Sequence, residues 1–124
     1  MIIESKVIPH KEQRYNTVGD YMEQEGNIQI KVSDLGNSDM NFLLTIHEAI
    51  ESYLCKKRGI SFAAIDEFDK NYKGSGEPGN APGSPYDQEH LFAEIVERWV
   101  AMELGVDWQE YENKIKKVSE EYGR

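Results

Sequence analysis

The sequence predicts an α+β domain, a small N-terminal antiparallel sheet packed on three to four helices. Three observations carry that prediction. "NIQIKVS", residues 27–33, alternates Ile28, Ile30 and Val32 with Gln29, Lys31 and Ser33, the period of a strand with one wet face. "FLLTIHEAIESYLC", residues 42–55, repeats apolar side chains every three or four positions, the period of a helix. Gly59, Ser84-Pro85 and Gly105 then punctuate the rest of the chain at helix ends and starts.

Taken in order, "IIESKVI" (2–8) reads as a strand and "YNTVGDYM" (15–22) as a second one between it and residue 27. Glu25-Gly26 makes a hairpin turn into 27–33, whose alternation suits a half-exposed or edge strand. "SDLGNSDM" (33–40) is loop, and Asn37 or Ser38 can cap the first helix. That helix is expected over 39–58, with Leu43, Ile46, Ile50, Tyr53 and Leu54 inward and Gly59 as its stop. A shorter helix begins after Ser61, with Phe62, Ile65, Phe68 and Tyr72 inward. "KGSGEPGNAPGSPY" (73–86) is half Gly and Pro, so it forms no regular element and has the length of a functional or mobile loop. The next helix is expected from Ser84-Pro85 to Leu104, with Leu91, Ile95, Trp99 and Met102 inward. Asp107 caps a last helix with a stripe of Trp108, Tyr111, Ile115, Val118 and Tyr122. No repeat or boundary divides residues 1–124, which read as a single domain.

Composition narrows the function. The formal net charge of −9 opposes a broad nucleic-acid or anionic-membrane surface, since both need clustered Lys and Arg. The lysines at 56–57 and 116–117 lie near expected helix ends, where cations favour the dipole. Cys55 is the only cysteine and reads as a buried, inert thiol. "MIIESKVIPH" lacks the long apolar stretch of a signal peptide, and no segment has the length of a membrane span, so the expectation is a cytoplasmic protein without a membrane partner.

The chemistry concentrates at "HEAIE", residues 47–51. On a helix His47 and Glu51 share one face, His47 within the apolar stripe and Glu51 at its edge. They offer a metal two ligands from one rigid element, and a third has to come from elsewhere. His90 lies on a stripe with Glu94, Glu97 and Ala101. If its helix packs on helix 39–58, His47, Glu51 and His90 form a two-histidine, one-carboxylate set. That set matches a catalytic zinc site with water in the fourth position, and Glu48 is then placed to take the water's proton. The plainer reading keeps His47 and Glu51 as a satisfied polar pair, and Glu94 and Glu97 as solvated charges or partners of Arg98. Asp66 and Asp69, in "IDEFD", are a weaker pair better suited to turn and capping roles.

An alternating strand, a loop and then an H-E-x-x-E helix, over roughly 27–58, resembles the layout of minimal zincin metallopeptidases. The resemblance implies an edge strand that pairs with an extended peptide or protein substrate beside the metal. The chain departs from H-E-x-x-H followed by an acid: Glu51 stands at the second histidine position, and His90 would replace the later acid. A further carboxylate from Glu89 or Glu94 would suit manganese, iron or magnesium better than zinc. "YNTVGDY", "IQIKVSDLG", "LLTIHEAIESYLC", "EPGNAPGSPYDQEHLFAEIVER" and "LGVDWQEYE" also look similar to a family of small phage and prophage proteins. Those stretches, with "GIS" and "IDEFD", gather around His47, Glu51, Asp66 and His90, which suggests one site. The expected function is a metal-dependent hydrolase, in its narrower form a minimal metallopeptidase, with zinc the expected ion. The alternative is a non-catalytic phage accessory or interaction module whose His/Glu cluster is structural. A magnesium nuclease fits worse, because no basic track would hold a phosphate backbone.

Overall fold

The computed structural model describes residues 1–123. Strands β1 (Ile3–Ile8), β2 (Gly19–Gln24) and β3 (Asn27–Ser33) form one sheet in the order β1-β3-β2. Four helices complete the fold: α1 (Ser38–Lys57), α2 (Phe62–Asn71), α3 (Asp87–Leu104) and α4 (Trp108–Glu120). This is the α+β architecture with a small N-terminal sheet. No helix among the described residues is long and apolar enough to cross a membrane.

The β2–β3 hairpin is antiparallel and turns on Glu25 and Gly26, whose φ values of 53° and 80° are both positive. Two positive φ angles in a two-residue loop match the right-handed twist of the flanking strands, and Gly26 adopts its angle without steric cost. β1, however, pairs parallel to β3, so the sheet is mixed and not purely antiparallel. A parallel neighbour requires a crossover, and residues 9–18 supply it. His10 Nδ1 lies 2.7 Å from Ser33 Oγ, and Gln13 Nε2 donates to the Lys31 carbonyl at 3.0 Å, so both tie the crossover to β3. β3 is therefore the central strand, not an edge. Its alternation still holds, with Ile28, Ile30 and Val32 buried against the helices. Each such side chain contributes about 1.5–3 kcal/mol by leaving water.

α1 lies across this sheet face. Asn37 caps it, its side-chain oxygen accepting from the Met40 N–H at 3.0 Å, and the chain leaves it at Gly59 with φ 71°. The buried face is Leu43, Leu44, His47, Glu48, Glu51, Ser52 and Cys55. That is a rotation from the expected stripe: Tyr53 is exposed, and Ile46 and Ile50 are only partly covered. α2 behaves as expected, capped by Ser61 with Ile65 buried. α3 begins at Asp87, two residues after Pro85, and Ser84 Oγ accepts from the Tyr86 N–H ahead of the first turn. Its orientation is the reverse of the expectation. Leu91, Ile95, Trp99 and Met102 face out, and Glu89, His90, Ala93, Glu97 and Ala101 face in. In α4 Tyr111 is fully buried, while Trp108, Ile115 and Val118 flank the core.

Candidate metal centre

α1 and α3 pack against each other and run antiparallel: His47 meets Glu97, and one turn further along α1 Glu51 meets His90. Ala93 and Ala101 are nearly or wholly inaccessible, and their small side chains let the helices approach closely. Between the two helices, three atoms converge. His47 Nε2 lies 3.1 Å from Glu51 Oε1 and 3.2 Å from His90 Nδ1, and His90 Nδ1 lies 2.8 Å from Glu51 Oε1. All three side chains are buried. Ligand atoms around a tetrahedral ion sit about 3.4 Å apart, and a triangle of this size leaves a point about 2 Å from every corner at about 1 Å from its plane, as a tetrahedral ion requires. The set foreseen from the sequence thus meets in space, from helices far apart in the chain.

The far side of each imidazole decides how the near side is used. His47 Nδ1 lies 2.7 Å from Glu97 Oε1, and His90 Nε2 lies 2.8 Å from Glu77 Oε2. Carboxylates only accept, so with an ion at the inner nitrogens the N–H of each neutral ring would sit on that outer nitrogen and donate outward. Both inner nitrogens then present bare lone pairs to the Glu51 carboxylate. Three acceptors within 3.2 Å of one another are unstable unless something positive lies between them. Outward donation from a metal-bound imidazole to a carboxylate is the usual second layer of a metal site, fixing tautomer and ring orientation. Tyr111 extends the layer by donating its hydroxyl to Glu97 Oε2 at 2.5 Å.

Electrostatics reflect this crowding. Burial alone would lower the His90 imidazole, but hydrogen bonds to Glu51 and Glu77 outweigh it and hold the ring at about 10. Burial likewise opposes protonation of His47, and its bonds to Glu51 and Glu97 carry it well above the ordinary histidine value. Burial pushes the Glu51 carboxyl up, but its contacts with both imidazoles bring it down to about 2. Glu48 goes the other way: burial first, then the charge of Glu51, raises it well above the usual carboxylate range. Its Oε2 lies 3.9 Å from His47 Nε2, beside the trio but outside it. A cavity of about 70 Å³ opens here, lined by Val18, Leu44, Glu48, Tyr86 and Ile115 as well as the cluster. That is room for about two waters.

Two glycines keep this space open. A Cβ on Gly79 would sit 2.5 Å from the His90 ring, and one on Gly19 would sit 2.5 Å from the Glu48 carboxyl carbon. Gly79 belongs to a short 3-10 turn, Pro78–Asn80, inside the Gly/Pro segment 73–86, so that segment forms one wall of the centre and also delivers Glu77. Tyr86 stands edge-on to His90 with ring centroids 6.0 Å apart and donates its hydroxyl to Asp69 at 2.7 Å.

Other expected participants lie elsewhere. Glu89 accepts from Arg58 at 2.7 Å, and Glu94 lies 3.6 Å from Arg98. Glu94 also belongs to a looser trio with Glu77 and His90, in which only His90 is buried. Asp66 pairs with Arg14 outside the cluster, and His10 serves the crossover. Sequence reasoning missed the roles of Glu97, Glu77 and Tyr111. Glu97 shares the His90 stripe, and that was its only signal; nothing local marks Glu77 or Tyr111. No protein-family model matches the chain, and neither a curated protein nor a solved structure matches it.

Proposed function

We propose that the chain is a divalent-metal-dependent hydrolase, with zinc the expected ion held by His47, Glu51 and His90. One observation carries the reading: two imidazole nitrogens and a carboxylate oxygen, all buried, converge on one point while the outer nitrogens of both rings are held by the Glu97 and Glu77 carboxylates. Two imidazoles and one carboxylate are the donor set of several catalytic zinc sites. Zinc in such a set supplies Lewis acidity and lowers the pKa of a bound water to about 7. Glu48 is the proton acceptor in this scheme. Burial and Glu51 hold its proton on, and added positive charge at the trio favours its ionised, basic form.

The expected substrate class is an extended peptide. Support comes from β2, which is an edge of the sheet and sets Gly19 against Glu48. The edge beside the proposed base is therefore β2, where the sequence pattern pointed to residues 27–33. An open edge pairs with an extended chain through main-chain hydrogen bonds. The segment 73–86 is then the element that must move to admit a substrate larger than the cavity.

A second reading, an interaction module with a structural ion, draws on the same cavity, which holds little more than water. Metal analysis and peptide turnover separate the two. Purified protein is expected to carry one ion per chain, lost in His47→Ala and His90→Ala. Glu48→Gln is expected to retain the ion and to lose about 10²–10⁴-fold in hydrolysis of a quenched-fluorescence peptide library. A loaded wild-type protein with no turnover favours the structural ion. A metal-free protein that takes up no ion on titration sinks both.

A further inference from the structure

β1 pairs with β3 on one side and, among the described residues, with no strand on the other. In a parallel ladder successive residues turn their main-chain groups to alternate sides. The Ile28 N–H donates to the Ile2 carbonyl at 3.0 Å, and the Asp34 N–H donates to the Ile8 carbonyl at 2.8 Å, so the even-numbered residues of β1 face β3. Ile3, Ser5 and Val7 therefore turn their N–H and C=O groups to the open edge. A row of unpaired main-chain groups is a template for another strand. The side chains along it are uncovered as well. Ile3 and Val7, level with Ile28 and Val32 on the helix side of the sheet, are 44% and 50% exposed. On the other side, exposed Glu4 and Lys6 lie between Ile2 and Ile8. Neither makes an ion pair among the described residues, and Glu4 meets only Gln29 Nε2, at 3.4 Å.

We propose that this edge pairs with the same edge of a second copy, antiparallel, with Ser5 on the two-fold axis. The order of residues along the strand favours a second copy over other occupants, because "IIESKVI" reads as its own complement in reverse. With Ser5 opposite Ser5, Ile3 faces Val7 of the second copy, Glu4 faces Lys6, and Ile2 faces Ile8. Ile3, Ser5 and Val7 then fall at hydrogen-bonded positions, where each donates one main-chain bond across the axis and accepts one. Glu4 and Lys6 fall at the non-hydrogen-bonded positions, where opposed Cα atoms are about 4.5 Å apart and side chains interact most closely. A slip of two residues in either direction sets Glu4 against Glu4 or Lys6 against Lys6, so charge selects the register. Self-complementarity of this kind is what an isologous dimer requires. The joined sheet runs β2-β3-β1-β1-β3-β2 and leaves both β2 edges open. The pairing does not depend on the ion between α1 and α3.

The test is the oligomeric state of the full chain by sedimentation equilibrium over a range of concentrations. Wild type is expected at twice the chain mass. Ser5→Pro removes an outward N–H that β3 does not use, so it is expected to give a monomer with unchanged helical circular dichroism. Lys6→Glu keeps the main chain intact and opposes like charges twice, so it is expected to raise the dimer dissociation constant about 10–100-fold. A Glu4→Lys, Lys6→Glu double exchange restores opposite charges across the axis and is expected to recover the dimer. A wild-type monomer at about 100 μM would overturn the proposal, whether or not that edge takes up an extended peptide. A dimer that survives both Ser5→Pro and Lys6→Glu would overturn it equally, and so would a double exchange that dimerises no better than Lys6→Glu.

Discussion

The metal-free centre is expected to hold two protons where the loaded centre holds one divalent ion. Without a cation, the bare nitrogens of His47 and His90 face Glu51 at 3.1 Å and 2.8 Å, and the carboxylate draws a proton onto each. The ring of His90 is held at about 10 and that of His47 well above 6.5, so both are charged at neutral pH. Metal uptake must displace both protons. Apparent affinity is therefore expected to rise about 100-fold per pH unit while the pH stays below both imidazole values. Competition against a chromophoric chelator between about pH 6 and pH 8 measures this slope. Isothermal titration in buffers of different ionisation enthalpy counts the protons directly, with about two expected per ion. A pH-independent affinity with no proton release would refute the reasoning, because the ion would then be bound by atoms other than these two nitrogens.

The same linkage gives the stability of the metal-free protein its pH profile. Raised imidazole values contribute stability that is full below the unfolded value of 6.5 and is lost as pH rises through about 10. The depressed Glu51 value contributes stability that is full above 4.5 and is lost as pH falls toward about 2. The cluster therefore favours the metal-free fold most between those unfolded values. The gap in melting temperature between zinc-loaded and chelator-treated protein is expected to widen from pH 6.5 upward.

Three further substitutions probe the supporting layer. Glu97→Gln removes the charge that accepts from His47 and Tyr111, and chelator competition is expected to show metal affinity lowered about 10–100-fold. Gly79→Ala drives a methyl group into the His90 ring, so affinity is expected to fall by about tenfold or more with helix content unchanged. Gly19→Ala displaces the flexible end of Glu48 instead, so the ion is expected to stay while peptide hydrolysis falls toward the level of Glu48→Gln. Loss of metal from Gly19→Ala would show that Glu48 is a ligand and not the base.

What the sequence disclosed was local. The Asn37 cap, the Glu25-Gly26 turn and the Gly59 and Gly105 stops each depend on a few adjacent residues, and all stand where the pattern puts them. The parallel pairing of β1 was not legible, because it rests on His10 and Gln13 reaching Ser33 and Lys31 across some twenty positions. His47 and Glu51 were legible as a pair from their spacing, and His90 only on the condition that two helices meet. Glu77 and Tyr111 reach the centre from a loop and from α4, and only tertiary packing brings them there.

The facing of α3 is the instructive failure, because two stripes compete on one helix. The rule that apolar residues turn inward selects Leu91, Ile95, Trp99 and Met102, yet the buried stripe is His90, Ala93, Glu97 and Ala101. Magnitudes explain the outcome. Leaving those four apolar residues and Phe92 about half exposed or more forfeits roughly 1–1.5 kcal/mol each, about 5–7 kcal/mol in all. Turning α3 over would break His47–Glu97 and Glu51–His90 and strand their α1 partners in the interior. Breaking one buried charged pair costs about 3–5 kcal/mol, so two cost about 6–10 kcal/mol. The polar links hold the advantage by a small margin. An ion at the inner face would widen it by tightening the links. A helix that is polar inside and apolar outside is thus favoured when the buried polar links on its inner side outweigh the apolar surface left on its outer side.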